Sequence, residues 1–421
     1  MPKPSTVSKK IKKFLQVLGP GVITGASDDD PSGIATYSQA GAAFGFATLW
    51  TALLTFPLMA TIQGMCARIG LVTESGLTKT LKNHYPKSLL YLMIVFSFPA
   101  VTLNIGADIQ GMGAVANLLI PSIPDYIFSI GFTLLLIFVI IKYPYQKIAR
   151  ILKWLCIAVL LYLIVPFLLK PDWGSVFKST FIPTIHFNKD FFEMLVAILG
   201  TTISPYLFFW QATMEAEDVA HKAKKIMVNK QILKDMKADV NMGMLFSNLV
   251  MFFIILTAGA TLFKAGIHKI DTVEQAAKAL QPLAGRFAYV LFAIGIIGTG
   301  LLAIPVLAGS ISYIMAETFD WKQGLDAKFS EAKPFYATIA IALVLGLCLN
   351  FIGITPIQAL VYTAILYGLT APVMIAVVIH ICNNKKVMGK FTNNTLQNTL
   401  SVITLILMTA SAVAMLYFQF K

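Results

Sequence analysis

Residues 19–46 read GPGVITGASDDDPSGIATYSQAGAAFGF, an apolar stretch long enough to cross a bilayer, with Asp28, Asp29 and Asp30 at its centre. One Asp at mid-span costs about 2.5–3.5 kcal/mol on insertion. Three in a row cost more than the flanking apolar residues readily offset. The segment is therefore no plain lipid-facing helix, and its acids must face a cavity, water or a bound cation. Pro31 cannot donate a backbone hydrogen bond, so it interrupts an existing helix. It suits the first position of a new one, and Asp30 before it is a good N-cap. The spacing predicts a half-helix ending near 26–28 and a second starting at Asp30–Pro31.

Residues 193–214, EMLVAILGTTISPYLFFWQATM, repeat this logic. Ser204 and Pro205 again place a capping residue before a proline, and Gly200, Thr201 and Thr202 loosen the turn before them. Pro31 and Pro205 lie 174 residues apart, about five spans. Two broken helices at matching places in two halves point to an inverted-repeat transporter, where unwound backbone and side chains hold a cation near the bilayer midplane. A lone Ser-Pro kink or a simple Asp cap is the plainer reading of each break taken separately.

The rest of the chain agrees with a membrane setting. Hydrophobic residues make up 57% and charged residues 13%, against about 25% charged in soluble domains. This excludes a soluble enzyme, a disordered chain and a disulfide scaffold. The four cysteines, Cys66, Cys156, Cys348 and Cys382, are scattered, with no metal-ligand spacing, and read as small apolar residues.

About eleven apolar segments are expected, near 19–46, 47–70, 88–120, 125–142, 149–169, 191–214, 241–263, 287–316, 335–352, 356–382 and 396–419. Taking alternate connections from the basic tail, one side collects 25 Lys and Arg and the other 8, so the N-terminus is expected in the cytoplasm and the protein in the plasma (inner) membrane. The net charge of +13 then faces anionic lipid, and no nucleic-acid partner is implied. The Asn393 sequon falls in an expected cytoplasmic loop. The organisation expected is a basic tail at 1–18, five spans within 19–170, five within 191–382, and a last helix with a short outer end at 396–421. The loops at 170–190, 215–240 and 264–286 are too short to be domains, which leaves function to the helices.

At the broken helices the sequence resembles the natural resistance-associated macrophage protein (NRAMP) family of divalent metal transporters. GPGVITGASDDDPSG resembles that family's first helix, with its DPGN motif after a GPG start. The likeness extends through ATLW (47–50), Gln63 and CARIGLVT (66–73), NIGADIQG (104–111) and LGTTISPY (199–206). The resemblance implies an all-α polytopic membrane protein of leucine-transporter fold, with two inverted five-helix repeats plus an eleventh helix. It puts the metal carboxylate on Asp30. The family's Asn falls on Gly33, so that amide is lost. The sixth-helix ligands fall on Thr201 (backbone carbonyl), Ser204 in place of Met, and Tyr206 in place of His.

Exchanging a soft thioether for a hydroxyl leaves an all-oxygen set of Asp30, Thr201 and Ser204, suited to Mg²⁺ or Mn²⁺ rather than softer metals. Losing the bulk of Met and Asn suits a partly hydrated ion. These departures are similar to those of the NRAMP-related magnesium transporters. Asp28 and Asp29 would add outer charge, and Gln63 would either hydrogen-bond the unwound region or simply pack. The divalent metal enters as substrate; no resident cofactor is expected, and the oligomeric state stays open.

Proton coupling is expected to be weak or absent. Tyr206, with an ordinary pKa of about 10, is a poor relay, and none of the five His falls at mid-membrane. Asp108 reads equally as a proton relay or a structural acid. A dication entering down the membrane potential gains about 4.6 kcal/mol per 100 mV, twice the single-charge figure. Glu215, Glu217 and Asp218 read as a solvated helix end, and Trp210 and Gln211 as candidates to line an inner path. The alternatives are proton-coupled Mn²⁺ or Fe²⁺ uptake and an organic-solute symporter on the same fold. An intramembrane enzyme lacks the paired groups hydrolysis needs.

Overall fold

The computed structural model describes residues 19–145, 147, 163–221 and 228–420. Every regular element among them is helical. In chain order the principal helices are α1 (Pro20–Asp28), α2 (Pro31–Phe44), α3 (Trp50–Thr73), α4 (Leu77–His84), α5 (Lys87–Leu119), α6 (Asp125–Lys142) and α7 (Trp173–Phe181). There follow α8 (Lys189–Thr202), α9 (Pro205–His221), α10 (Lys230–Ala258), α11 (Ala288–Phe319), α12 (Lys333–Leu347), α13 (Pro356–Asn383) and α14 (Thr395–Gln419).

Nine helical stretches among the described residues are long and apolar enough to cross a bilayer, with α8 and α9 counted as one. The expected first span, divided between α1 and α2, has halves too short to qualify. Most of the expected span at 149–169 lies outside the described residues. The expected loop at 215–240 is largely helical instead: α9 runs on to His221 and α10 starts at Lys230. The charged turns at these helix ends carry no apolar signal. The short helices α4 and α7 likewise carry no span-length apolar signal.

Helix starts follow local chemistry where a polar residue precedes them. The Asn188 side chain accepts from Phe191 N and Asn229 from Ile232 N, while Thr355 and Asn394 form reciprocal capping boxes. Two helices begin on glycine and borrow a cap from elsewhere. The Asp239 carboxylate of α10 accepts from Gly19 N and Gly21 N, both at 2.7 Å, ahead of and within α1. Glu317 of α11 accepts from Lys79 N at 2.8 Å in the first turn of α4.

The broken helices form the core. Of the apolar window of Lys189–Ala220, 94% is buried, against 22% for α6, which places α6 at the lipid-facing rim. α1 packs along α10 so closely that a Cβ on Gly25 would lie 2.2 Å from the Gly243 carbonyl oxygen, so the contact admits only glycine. α5 packs against α11 and α13, α8 against α13, and α9 against α3. α14 lies across α8, α13 and α3. Arg68 of α3 donates to Gln397 Oε1 at 2.8 Å and to Asn393, tying α3 to the start of α14.

Candidate cation site at the two helix breaks

Each break follows from a missing N–H. In an unbroken helix the Ser27 carbonyl would accept from residue 31 and the Thr201 carbonyl from residue 205, and both are proline. Side chains take these carbonyls instead. Tyr206 Oη donates to Ser27 O at 3.2 Å, joining the first break to the second. Ser204 Oγ donates to Thr201 O at 2.6 Å. Ser204 thus sits on the carbonyl with which it was paired in the expected ligand set, and its lone pairs remain available to a cation. Gly200 has a tighter role than loosening the turn: a Cβ there would lie 2.1 Å from Ala364 O, so α8 can approach α13 only without a side chain.

Asp30 caps α2, accepting from Gly33 N at 2.7 Å. Beside Gly33 stands Tyr37, whose hydroxyl meets Thr202 Oγ1 at 3.1 Å. Asp28, Asp29, Asp30 and Asp108 are 1%, 3%, 2% and 0% exposed. None of them is ion-paired with Lys, Arg or His among the described residues. Buried carboxylates without a countercharge are costly, so the cluster favours a positive guest.

The acids do not converge into a cage. No group of three or more His, Cys, Asp or Glu among the described residues is placed to hold a metal together. Asp28 and Asp29 turn toward α10, where Ser247 Oγ lies 2.7 Å from Asp28 Oδ2 and 3.3 Å from Asp29 Oδ1. Asp108 stays with Asp30 through Asn104, whose Nδ2 donates to Asp30 Oδ2 at 2.9 Å and to Asp108 Oδ2 at 3.4 Å. One carboxylate among neutral oxygens is what Asp30, Thr201 and Ser204 offer.

Gln63 is fully buried, and neither amide atom has a hydrogen-bond partner, so it does not bond the unwound backbone. Gln211 accepts from Thr24 Oγ1 at 2.5 Å and donates to Glu215 Oε1 at 3.0 Å, linking α1 to α9. The described histidines lie at helix ends or in connections: His84 ends α4, His221 ends α9, and His380 is in the last turn of α13 against the Tyr85 ring. Asn104, Ser247 and Tyr37 have no role in the sequence reading, and Thr202, expected only to loosen the turn, meets Tyr37. Asn104 left a signal, being a polar residue one turn before Asp108 in an apolar span.

Known proteins resemble this chain over nearly its whole length. Residues 21–418 match the profile described as natural resistance-associated macrophage protein-like. The divalent metal cation transporter MntH of Caldanaerobacter subterraneus is 26% identical over 399 residues, 94% of this chain and 91% of that protein. The crystal structure of the Eremococcus coleocola manganese transporter with an aromatic bis-isothiourea compound superposes with a TM-score of 0.76 at 17% identity, covering 98% of this chain and 88% of that one. Mhp1, a nucleobase-cation-symport-1 transporter, superposes at 0.60 with 11% identity over 95% of this chain and 92% of its own, so the leucine-transporter architecture stands. With its breaks at Pro31 and Pro205 and nearly its whole length within the match, the chain belongs to the natural resistance-associated macrophage protein-like family.

Proposed function

We propose that the protein carries a divalent metal ion across the bilayer by alternating access, with two inverted five-helix repeats at 19–170 and 191–382 moving about the breaks. The relatives are named as divalent metal cation transporters. The observation that carries the reading is the buried Asp30 carboxylate, which caps the helix that starts at the Pro31 break and has no basic partner among the described residues. Asp30 is the direct carboxylate, Thr201 gives a carbonyl and Ser204 a hydroxyl. Asp28 and Asp29 contribute outer charge. An all-oxygen set of one carboxylate favours Mg²⁺ or Mn²⁺ over Cd²⁺.

Proton coupling is weak or absent. Tyr206 stands where a histidine relay would be needed, and its hydroxyl is engaged with Ser27. Asp108 remains the one acid on a possible proton path, and the membrane potential supplies the drive. The test is uptake of ⁵⁴Mn²⁺ into proteoliposomes with a pH dye inside, competed by Mg²⁺, Ca²⁺ and Cd²⁺. Mg²⁺ is expected to compete, the lumen to keep its pH, and Asp30→Ala to abolish uptake. Dominant competition by Cd²⁺ with acidification of the lumen favours the proton-coupled alternative. Undiminished uptake by Asp30→Ala refutes the site.

A further inference from the structure

Asn104 lies on α5, fully buried, with its NH₂ end toward two carboxylates: Asp30 Oδ2 at 2.9 Å and Asp108 Oδ2 at 3.4 Å. Both acceptors lie on the nitrogen side, which fixes the amide oxygen on the other. That oxygen, Asn104 Oδ1, is buried and has no hydrogen-bond partner. A buried carbonyl left without a donor is a standing cost to the fold. A hydrophobic residue of the same size would avoid it.

The geometry points to Asn104 as an amide-oxygen ligand of the transported cation, delivered from α5 to the Asp30 site, and hence as a determinant of hard-ion preference. This rests on reading Asp30 as the metal carboxylate. Without a cation, the NH₂ offsets the charge on Asp30 and Asp108. A cation held by Asp30 repels that NH₂ and attracts the carbonyl, and a half-turn about the broad χ2 torsion exchanges the two ends. The amide oxygen then takes the place that Gly33 cannot fill. Neutral amide oxygens suit hard cations and add no charge, so the site gains selectivity without holding the ion too tightly.

The test uses the full-length protein. Mn²⁺ binding is measured by calorimetry, and ⁵⁴Mn²⁺ uptake into liposomes is competed by Cd²⁺ and Mg²⁺, for wild type, Asn104→Ala, Asn104→Met and Asp30→Ala. Asn104→Ala is expected to weaken Mn²⁺ binding roughly 10–100-fold, the range found when support to a metal site is removed. Asn104→Met, which offers a thioether, is expected to make Cd²⁺ the better competitor and Mg²⁺ the worse. A purely structural asparagine would lower all ions in proportion, and that outcome overturns the inference. So does Mn²⁺ binding by Asn104→Ala that matches wild type while Asp30→Ala has lost it. Should the alanine variant fail to fold, the ion order of Asn104→Met decides alone. Wild-type binding by Asp30→Ala instead brings down the underlying site, and this inference with it.

Discussion

At the scale of residues, the site is a set of carbonyls that lost their donors and of side chains that took them. Tyr206 illustrates the exchange, because its hydroxyl on Ser27 O is the hydrogen bond that ties one break to the other. Placing a histidine there removes that bond and introduces a group that titrates near pH 6.5. Tyr206→His is expected to make Mn²⁺ uptake depend on pH between about 5.5 and 7.5 and to acidify the liposome lumen, where the wild type is expected to do neither. A flat pH profile in that variant would mean that proton coupling is excluded by something other than this residue. The breaks were legible in sequence because their causes are local: Asp30–Pro31 and Ser204–Pro205 carry both the stop and the new start. The bond from Asn104 to Asp30 spans 74 residues and was not legible. Hydropathy marks α5 as a span without saying which of its faces meets α2.

At the scale of elements, helix starts divide into those that cap themselves and those capped from a distance. Asp30, Asn188, Asn229, Thr355 and Asn394 supply their own acceptor, and the sequence announces each. Gly19 and Gly76 have no side chain to offer, so Asp239 and Glu317 serve α1 and α4. No sequence signal connects the two members of such a pair, which are paired only by packing. Losing such a cap is expected to cost about 1–2 kcal/mol. Asp239→Ala and Glu317→Ala should therefore each lower the thermal unfolding midpoint in detergent clearly.

Asp320→Ala is the contrasting case. Its pair with Lys82 joins α11 to α4 in water, with side-chain exposures of 72% and 27%, and exposed pairs are worth little. The Lys82 hydrogen bond holds the Asp320 carboxyl below the usual carboxylate range. Whatever the pair contributes is therefore present above the ordinary value near 3.9 and is lost as pH falls through the lower folded one. Removing it should leave the midpoint unchanged at any pH from 5 to 8. A larger loss in Asp320→Ala than in Glu317→Ala would reverse this ranking.

At the scale of the whole molecule, the arrangement of basic residues gives the expected orientation in the bilayer. The connections on one side collect most of the 33 Lys and Arg, so that side is expected to face the cytoplasm. The polar ends of α9 and α10, around Glu215 and Lys230, belong to the same side, as does the anchorage of α14 to Arg68 through Asn393. The opposite face includes the far end of α12, where Cys348 is exposed, while Cys66 and Cys382 are buried. In a Cys156→Ala background, a membrane-impermeant maleimide added to intact cells is expected to label the protein at Cys348, and Cys348→Ser should abolish the signal. Labelling that appears only after permeabilisation would put α12 the other way up. The same reversal would turn Asp28–Asp30 and Ser204 to face a metal arriving from the opposite compartment, while the membrane potential would still drive a dication inward, because that drive depends on the charge moved and not on which way up the carrier sits.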